Sequence, residues 1–216
     1  MLKLVIGDKN LSSWSLRPWM LLRHLGLAFE EIRLPLDTQR FRDEIGRYSA
    51  SRRVPVLLDG ELRIWDSMAI CEYLNEKAGG HAWPAEVAAR AHARSISAEM
   101  HSGFQALRSN WSMQAAARGL DVPLGPAALA DVARIDEIWS GCRDEYPSDG
   151  PWLYGRYSIA DAMYAPVVLR FNTYGAQLSS SARGYVETAL QDPHLQEWIR
   201  GAEHELAAAG RPMEHP

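Results

Sequence analysis

Residues 2–25 read LKLVIGDKNLSSWSLRPWMLLRHL, and this stretch decides how the chain begins to fold. Leu2 to Ile6 is a short apolar run, which is typical of a buried strand. A serine-rich turn follows at residues 12–15, and apolar residues then recur at helical spacing. Ser15 is a favourable N-cap residue, and Pro18 is tolerated in a first helical turn. The stretch therefore predicts a strand, a serine-rich turn and a helix that begins at about Ser15.

The residues that follow, up to position 80, predict a small mixed unit. Phe29 to Leu36 alternates loosely enough for a second strand, whereas residues 38–48 fit either a short helix or an exposed loop. Residues 54–65 predict a β-hairpin that turns at Asp59-Gly60, because Asp-Gly supplies the positive φ of a tight turn. Asp66-Ser67 then predicts the cap of a further helix.

Alanine is distributed very unequally along the chain. Residues 1–80 contain 4 alanines, whereas residues 81–216 contain 25. Since alanine is the best helix former and a poor strand former, the second part is expected to be helical. Residues 79–84, Gly-Gly-His-Ala-Trp-Pro, fit a linker. We therefore expect an α+β protein with a mixed domain at residues 1–80 and an all-helical domain at residues 85–216.

Helix signals are frequent after the linker. Apolar residues form one stripe from Ile96 to Trp111 and another from Ala128 to Tyr146. Ser158-Ile159-Ala160-Asp161 resembles a capping box, with Asp in place of the usual Glu. Asp192-Pro193 predicts the start of the last helix.

Composition excludes several classes of function. The net charge of −4 provides no general attraction for nucleic acid, and no stretch approaches the ~18 apolar residues of a membrane span. The seven histidines show no metal-ligand spacing, so no metal is expected. The first residues lack a secretory-signal pattern. Cys71 and Cys142 make no disulfide framework, and two free thiols suit the reducing cytoplasm.

Three short motifs could carry chemistry. Serines 12–15 precede a helix, where backbone amides and the helix dipole stabilise an anion; serines there are equally common as simple caps. Val54-Pro55 opens a strand, and such a proline is a candidate for a cis bond that leaves the backbone before it free to pair with a ligand. Asp66-Ser67 adds a carboxylate and a hydroxyl at another helix start. Together these groups would fit the charged ends of an amino acid.

The order of these motifs resembles that of the cytosolic glutathione S-transferases. Ser12 to Trp19, Val54-Pro55 and Trp65-Asp66-Ser67 follow one another before a helical half. Residues 151–161, PWLYGRYSIAD, are similar to that family's capping-box segment. The serine stretch is similar to the zeta-class Ser-Ser-Cys pattern, although Trp14 stands in the place of the cysteine, and it also looks like a bacterial subgroup.

The resemblance implies a thioredoxin-like N-terminal domain that binds glutathione as co-substrate. Ser12 and Ser15 fall where thiol-using relatives carry a Cys-x-x-Cys pair, so glutathione must bring the sulfur. In this family a hydroxyl donates a hydrogen bond to the thiolate, and the resemblance assigns that role to Ser12, or to Ser13 if the helix starts one residue later. The resemblance assigns glutathione binding to Val54, Asp66 and Ser67, with Arg53 and Arg40 as weaker candidates that could equally be solvated surface residues.

The second-substrate pocket is harder to place. Leu11 and Trp14 flank the expected position of the sulfur, and Met100, Arg108 and Trp111 are expected along the first long helix of the second half. Such a stripe is often core, but a charged group and a large ring near a mouth can recognise an acidic aromatic molecule. Arg108 and Trp111 are therefore the better candidates.

Three functions remain open. The first is a transferase that attacks a small electrophile with the glutathione thiolate. The second is a glutathione-dependent isomerase of the maleylacetoacetate type, and the third is a glutathione-binding scaffold without turnover. The fold alone does not separate them. The resemblance also implies a homodimer.

Overall fold

A computed structural model describes residues 1–146 and 150–210 of the chain. The predicted α+β architecture is confirmed, because a four-stranded sheet with three helices precedes six further helices in the described residues. The element order is β1 (Leu2–Ile6), α1 (Ser13–His24), β2 (Phe29–Arg33), α2 (Gln39–Tyr48), β3 (Val56–Asp59), β4 (Leu62–Ile64), α3 (Ser67–Lys77), α4 (Val87–Ser102), α5 (Gln105–Asn110), α6 (Pro126–Glu145), α7 (Ile159–Tyr174), α8 (Ser180–Gln191) and α9 (Pro193–Ala208).

The sheet has the strand order β2-β1-β3-β4. β1 pairs parallel with β2 and antiparallel with β3, and β3 forms the predicted hairpin with β4. The turn differs by one residue from the prediction: Asp59 pairs with Leu62, so the loop residues are Gly60 and Glu61, and Gly60 has a φ of 60°. Asp59 stays in β3, where its carboxylate accepts hydrogen bonds from Tyr73 and Lys77 at 2.8 Å each.

Residues 38–48, which fitted either a helix or a loop, form the helix α2. Thr38 is its N-cap, and the Thr38 hydroxyl accepts a hydrogen bond from the Phe41 amide at 3.1 Å. One face of this helix packs Ile45 against the buried strand residues Val5 and Val56. The polar residues of the segment thus cover the outer face of a helix whose apolar side completes the first domain.

The apolar stripe from Ile96 to Trp111 is divided between two helices. α4 ends at Ser102, and Phe104 has a left-handed φ of 60° before α5 begins. A Cβ on Gly103 would lie 2.8 Å from the Glu99 carbonyl oxygen, so this close approach of the backbone needs glycine. The apolar spacing in the sequence continues across this break, so the sequence predicted one stripe where the structure has two helices.

The core of the protein runs through both halves of the chain. α7 lies at its centre, and nearly all of its side chains are buried. Trp19 from α1 and Trp198 from α9 pack edge to face, with ring centroids 5.2 Å apart. Packing between the N-terminal and C-terminal halves therefore fixes where the start of α1 lies. The exact division at residues 1–80 and 85–216 stays a prediction, and residues 211–216 lie outside the described part.

The predicted capping box at the start of α7 is confirmed. The Asp161 carboxylate accepts hydrogen bonds from the Ser158 amide at 2.8 Å, the Ser158 hydroxyl at 3.1 Å and the Leu153 amide at 3.2 Å. The residue is 1% exposed, so water cannot replace these bonds. The predicted cap of the last helix is also confirmed, because Asp192 accepts from the amides of His194 and Leu195.

Replacing Asp161 with alanine should lower the free energy of unfolding by about 2–4 kcal/mol, because it leaves buried donors without an acceptor. Urea unfolding followed by circular dichroism measures this change. Asp161→Asn is the matched control, since its side-chain oxygen can still accept one bond and should restore part of the loss. An alanine variant as stable as the parent would contradict the assigned role.

Within residues 1–146 and 150–210, no helix is both long enough and apolar enough to cross a membrane.

Candidate functional site

Ser12 occupies the junction between the first strand segment and α1. The prediction that Ser15 caps the helix is wrong: the Ser12 carbonyl accepts the first helical bonds, from the amides of Ser15 at 3.1 Å and Leu16 at 3.2 Å. Ser12 is therefore the N-cap, Ser13 begins the helix, and Pro18 falls in the second turn rather than the first. Ser12 and Ser13 are 6% and 9% exposed, so both hydroxyls lie at the edge of the core.

Ser15 is joined to Ser12 and Gly7 by a chain of hydrogen bonds. The Ser12 and Ser15 hydroxyl oxygens lie 2.7 Å apart, and the Gly7 amide donates to Ser15 Oγ at 3.2 Å. Since Ser15 accepts from an amide, it can donate its own proton to Ser12 Oγ. This arrangement leaves the Ser12 proton free for a third partner.

Gly7 allows this close arrangement. A Cβ at that position would lie 2.9 Å from Leu36 side-chain atoms and 3.0 Å from Ser12 Cβ. Any other residue would push Ser12 or Leu36 away, so the backbone before the serine turn requires glycine.

The loop before Ser12 is held by the C-terminal half of the chain. The Asn10 carbonyl and side-chain oxygens accept hydrogen bonds from the amides of Ala115 at 3.1 Å and Ala116 at 3.0 Å. The Lys9 amide donates to Glu205 at 2.8 Å, and the Lys9 carbonyl accepts from the Trp198 indole at 2.7 Å. Sequence reasoning missed both loop residues, because nothing local indicates a partner far along the chain.

The Val54–Pro55 peptide bond is cis, as the sequence predicted. It lies immediately before β3, next to the strand β1 that leads to the serine turn. Val54 is partly buried and Pro55 is buried. Arg53 beside it is exposed, and Arg40 on α2 is also exposed, where it pairs with Glu44 at 2.9 Å.

Asp66 and Ser67 begin α3, as predicted. Asp66 Oδ1 accepts hydrogen bonds from the Met68 amide at 3.1 Å and the Ala69 amide at 3.5 Å, while Oδ2 lies 3.0 Å from His101 Nε2. The Asp66 side chain remains 55% exposed. Ser67 is fully buried, and its hydroxyl has no hydrogen-bond partner among the described residues. A carboxylate and an unpaired hydroxyl thus lie together at a helix N-terminus.

Trp14 is surrounded by groups that sequence reasoning did not bring together. The guanidinium carbons of Arg17 and Arg108 lie 4.3 Å and 4.8 Å from the centroid of its ring. The His101 ring approaches it edge to face at 5.2 Å. Arg17 and His101 were missed because an arginine inside a helix and a lone histidine give no local signal.

The other residues predicted for the second-substrate pocket have different surroundings. Leu11 is 44% exposed next to the serine turn. Met100 is 1% exposed, and Trp111 is 7% exposed. The Trp111 indole donates to the Val122 carbonyl at 2.8 Å and stacks on Tyr174 with ring centroids 5.1 Å apart. Arg108, the remaining predicted pocket residue, is the one that lies over the Trp14 ring.

A cavity of about 680 Å³ lies elsewhere, between the start of the C-terminal half and α7, and its lining residues are Gly80, His81, Trp83, Pro84, Ala85, Glu86, Ala89, Arg90, Tyr146, Tyr154, Arg156, Tyr157 and Ser158. None of the predicted site residues lines this cavity. In the part of the chain that the structure describes, no group of three or more His, Cys, Asp or Glu side chains is placed to hold a metal ion.

Comparison with known protein families gives a decisive match. The glutathione S-transferase N-terminal domain matches residues 11–77, and the glutathione S-transferase C-terminal domain matches residues 88–201. The chain belongs to the glutathione S-transferase family. The resemblance drawn from the serine turn, Val54-Pro55 and Asp66-Ser67 is confirmed at the level of the family.

Curated relatives match this chain over different lengths. Mouse glutathione S-transferase theta-3 is 25% identical over 177 residues, which are 79% of this chain and 69% of the relative. Dichloromethane dehalogenase of Methylorubrum extorquens is 39% identical over 61 residues, which are 26% of this chain and only 20% of the dehalogenase. The zeta-type assignment therefore stays a prediction.

Solved glutathione S-transferases share the fold. A homologue from Burkholderia GL BGR1, solved with bound glutathione, has a TM-score of 0.70 and 25% identity and covers 94% of this chain and 98% of its own. The apo form of human glutathione S-transferase T1-1 has a TM-score of 0.68 and 22% identity, covering 99% of this chain and 93% of its own.

Neither cysteine of this glutathione S-transferase can act as a thiolate at neutral pH. Burial raises the pKa of the Cys71 thiol to about 12, and burial raises the pKa of Cys142 to about 11. Both side chains are free and buried. A sulfur nucleophile at the serine turn must come from a ligand.

Proposed function

We propose that this chain binds glutathione and activates its thiol as a thiolate for attack on a small electrophile. In this proposal, the Ser12 hydroxyl at the N-terminus of α1 donates a hydrogen bond to the thiolate. The observation that carries it is the hydrogen-bond chain from Gly7 through Ser15 to Ser12. We further propose, from the family, a homodimer in the cytoplasm that acts without a metal or a nucleic-acid partner.

The chemistry follows from the pKa of a thiol. A free thiol has a pKa of ~8.5, so only a few per cent is ionised at neutral pH. A hydroxyl that donates to the sulfur, together with the amide groups of a helix N-terminus, favours the charged form and lowers that pKa. Ser12 can donate because Ser15 can satisfy its acceptor oxygen. Ser15 acts here as a positioning residue.

The reaction conserves atoms and electrons in a simple way. The thiol proton leaves to solvent, and the sulfur lone pair forms a carbon–sulfur bond with the electrophile. Where the electrophile carries a leaving group, the bond to that group breaks and its electron pair leaves with it. Where it carries none, a π bond or a strained ring bond at the attacked carbon breaks, and the atom that receives the electron pair takes up a proton from solvent. No oxidant or reductant enters this balance.

Glutathione itself is assigned to the groups at the start of α3 and before β3. Asp66 offers a half-exposed carboxylate for an ammonium group, and Ser67 offers a buried hydroxyl without a partner for a carboxylate. The residue before the cis-proline, Val54, offers its backbone to the cysteinyl part. Arg53 and Arg40 are exposed and remain candidates for the other carboxylate of glutathione.

The test combines binding with turnover. Calorimetric titration with reduced glutathione should show saturable binding, and conjugation of 1-chloro-2,4-dinitrobenzene should release chloride in step with product. Binding without turnover on a panel of electrophiles would instead favour a scaffold, and turnover of maleylacetoacetate alone would favour the isomerase. Absence of glutathione binding would refute both enzyme assignments.

A further inference from the structure

Arg108 is held in a fixed position beside the ring of Trp14. Its Nε donates to the Gly103 carbonyl at 3.0 Å, and its Nη2 donates to the Met100 carbonyl. Nη1 takes part in no hydrogen bond with the described residues. Two carbonyls at the end of α4 therefore orient the guanidinium, while its third nitrogen remains free to bind a ligand. The side chain is partly exposed, so a ligand can reach it.

Arg17 lies deeper on the same tryptophan. It is 1% exposed, and its Nε and Nη1 atoms have no hydrogen-bond partner in residues 1–146 and 150–210. Burial, followed by the positive charges of Arg108 and Arg170, lowers the pKa of the Arg17 guanidinium to about 9. That value still leaves the group charged at neutral pH. A buried cation without a bonded partner is costly, so its retention points to an anionic ligand.

The carboxylates that face this cluster form no ion pair with it among the described residues. Asp66 faces Arg17, but its oxygens are engaged by amides of α3 and by His101. Asp131 faces Arg108, but it accepts a hydrogen bond from the Leu107 amide at 2.9 Å. Arg17, Arg108 and Arg170 form no salt bridge with any described residue.

The neighbours of the cluster narrow the class of ligand. The His101 ring lies 5.2 Å from the Trp14 ring, and His101 Nε2 lies 3.0 Å from Asp66 Oδ2, so the cluster is next to the groups assigned to glutathione. The charged ends of glutathione are already assigned to Asp66, Ser67 and the exposed Arg53 and Arg40. An additional anion bound by Arg108 would therefore belong to the second substrate.

We propose that Trp14, Arg108 and the buried Arg17 form an anion subsite that selects electrophiles bearing a carboxylate. Arg108 contacts the carboxylate through its free nitrogen, while Arg17 adds positive charge and supports the Trp14 ring as a positioning residue. This inference rests on the proposed glutathione function and adds the class of its second substrate.

The test compares two glutathione conjugates, one with an aryl carboxylate and the other with its uncharged methyl ester. The acid is S-(4-carboxy-2-nitrophenyl)glutathione, and the ester carries a methyl group on the same aryl carboxylate. Each would occupy both the glutathione site and the second-substrate site. Calorimetry measures their binding whether or not the parent electrophiles are substrates. On the wild-type chain we expect the acid to bind about tenfold more tightly than the ester. Arg108→Met should reduce this ratio to below about threefold and leave the affinity for glutathione alone unchanged.

Arg134→Met is the matched control, because Arg134 is an exposed arginine on α6 that pairs with Glu99. It should preserve the wild-type ratio. Arg17→Met should also lower the ratio; if that variant does not fold, the Arg108 variant decides the question alone. Equal binding of acid and ester to the wild type would overturn the proposal. An Arg108→Met variant that weakens glutathione, acid and ester equally would overturn it too. Failure of all three ligands to bind would refute the glutathione function instead.

Discussion

Replacing Ser12 with alanine should lower turnover at neutral pH by about 10- to 100-fold. The hydroxyl would donate to the glutathione sulfur, and one preorganised donor to an anion contributes a rate factor of about 10²–10³. The amides of the helix N-terminus keep part of that stabilisation in the variant, so the expected loss lies at or below the low end of this range. Loss of the hydroxyl disfavours the thiolate, so the pKa of the bound thiol rises. The rising limb of the pH–rate profile then moves to higher pH, and the activities of variant and parent converge in alkaline solution.

Two measurements report this change separately. The ultraviolet absorbance of the thiolate gives the pKa of the thiol of bound glutathione. The pH dependence of kcat gives the pKa of the same thiol during turnover. Glutathione affinity should change little, because the thiol is a small part of the ligand.

Ser13→Ala and Ser15→Ala provide the matched controls. Ser13 lies one residue along, and it is not part of the hydrogen-bond chain through Ser15, so its variant should keep the parental pH profile. Ser15→Ala removes the support for the Ser12 hydroxyl and should shift the profile in the same direction by a smaller amount. If Ser13→Ala rather than Ser12→Ala shifts the profile, the donor is Ser13.

Replacing Asp66 with alanine should weaken glutathione binding by about tenfold. A charge-assisted hydrogen bond contributes about 1.5–3 kcal/mol, which corresponds to a factor of about 10–150. The Asp66 side chain is 55% exposed, so solvent screening places the expected effect at the low end. Calorimetric titration with glutathione measures it, and kcat at saturating glutathione should stay close to the parental value.

Asp66 also caps α3, so its two roles must be separated. Asp66→Asn retains a side-chain oxygen that can accept from the Met68 and Ala69 amides but carries no charge. It should therefore keep most of the stability and still bind glutathione weakly. If Asp66→Asn binds as tightly as the parent, the carboxylate charge plays no part and the assignment to an ammonium group is wrong.

Much of the fold was predictable from local signals. Asp66 and Asp192 cap their helices, and Ser158 forms a capping box with Asp161, as expected, since these side chains bond to amides two or three residues away. The cis Val54–Pro55 bond and the β3–β4 hairpin were likewise predictable from neighbouring residues. The motif order was enough to predict the family.

Two predictions about the helices were wrong: the start of α1, where two serines compete as the cap, and the continuous stripe from Ile96 to Trp111, where no local pattern marks the break. Serine is an equally good cap at position 12 and at position 15. In the structure the Ser15 hydroxyl accepts a hydrogen bond from the Gly7 amide, and Ser12 is the N-cap. The break between α4 and α5 lies at Gly103 and at Phe104, whose φ is 60°, and apolar spacing does not reveal it.

By itself, the sequence determined the mixed first half, the helical second half and the starts of α3, α7 and α9, because these depend on contacts within a few positions. Only the tertiary structure decided which serine begins α1 and which groups meet there. Asn10 bonds to Ala116 across 106 residues, and Arg108 reaches Trp14 from the other half of the chain. Such contacts form because both halves share one core, so packing rather than local pattern assembles the candidate site.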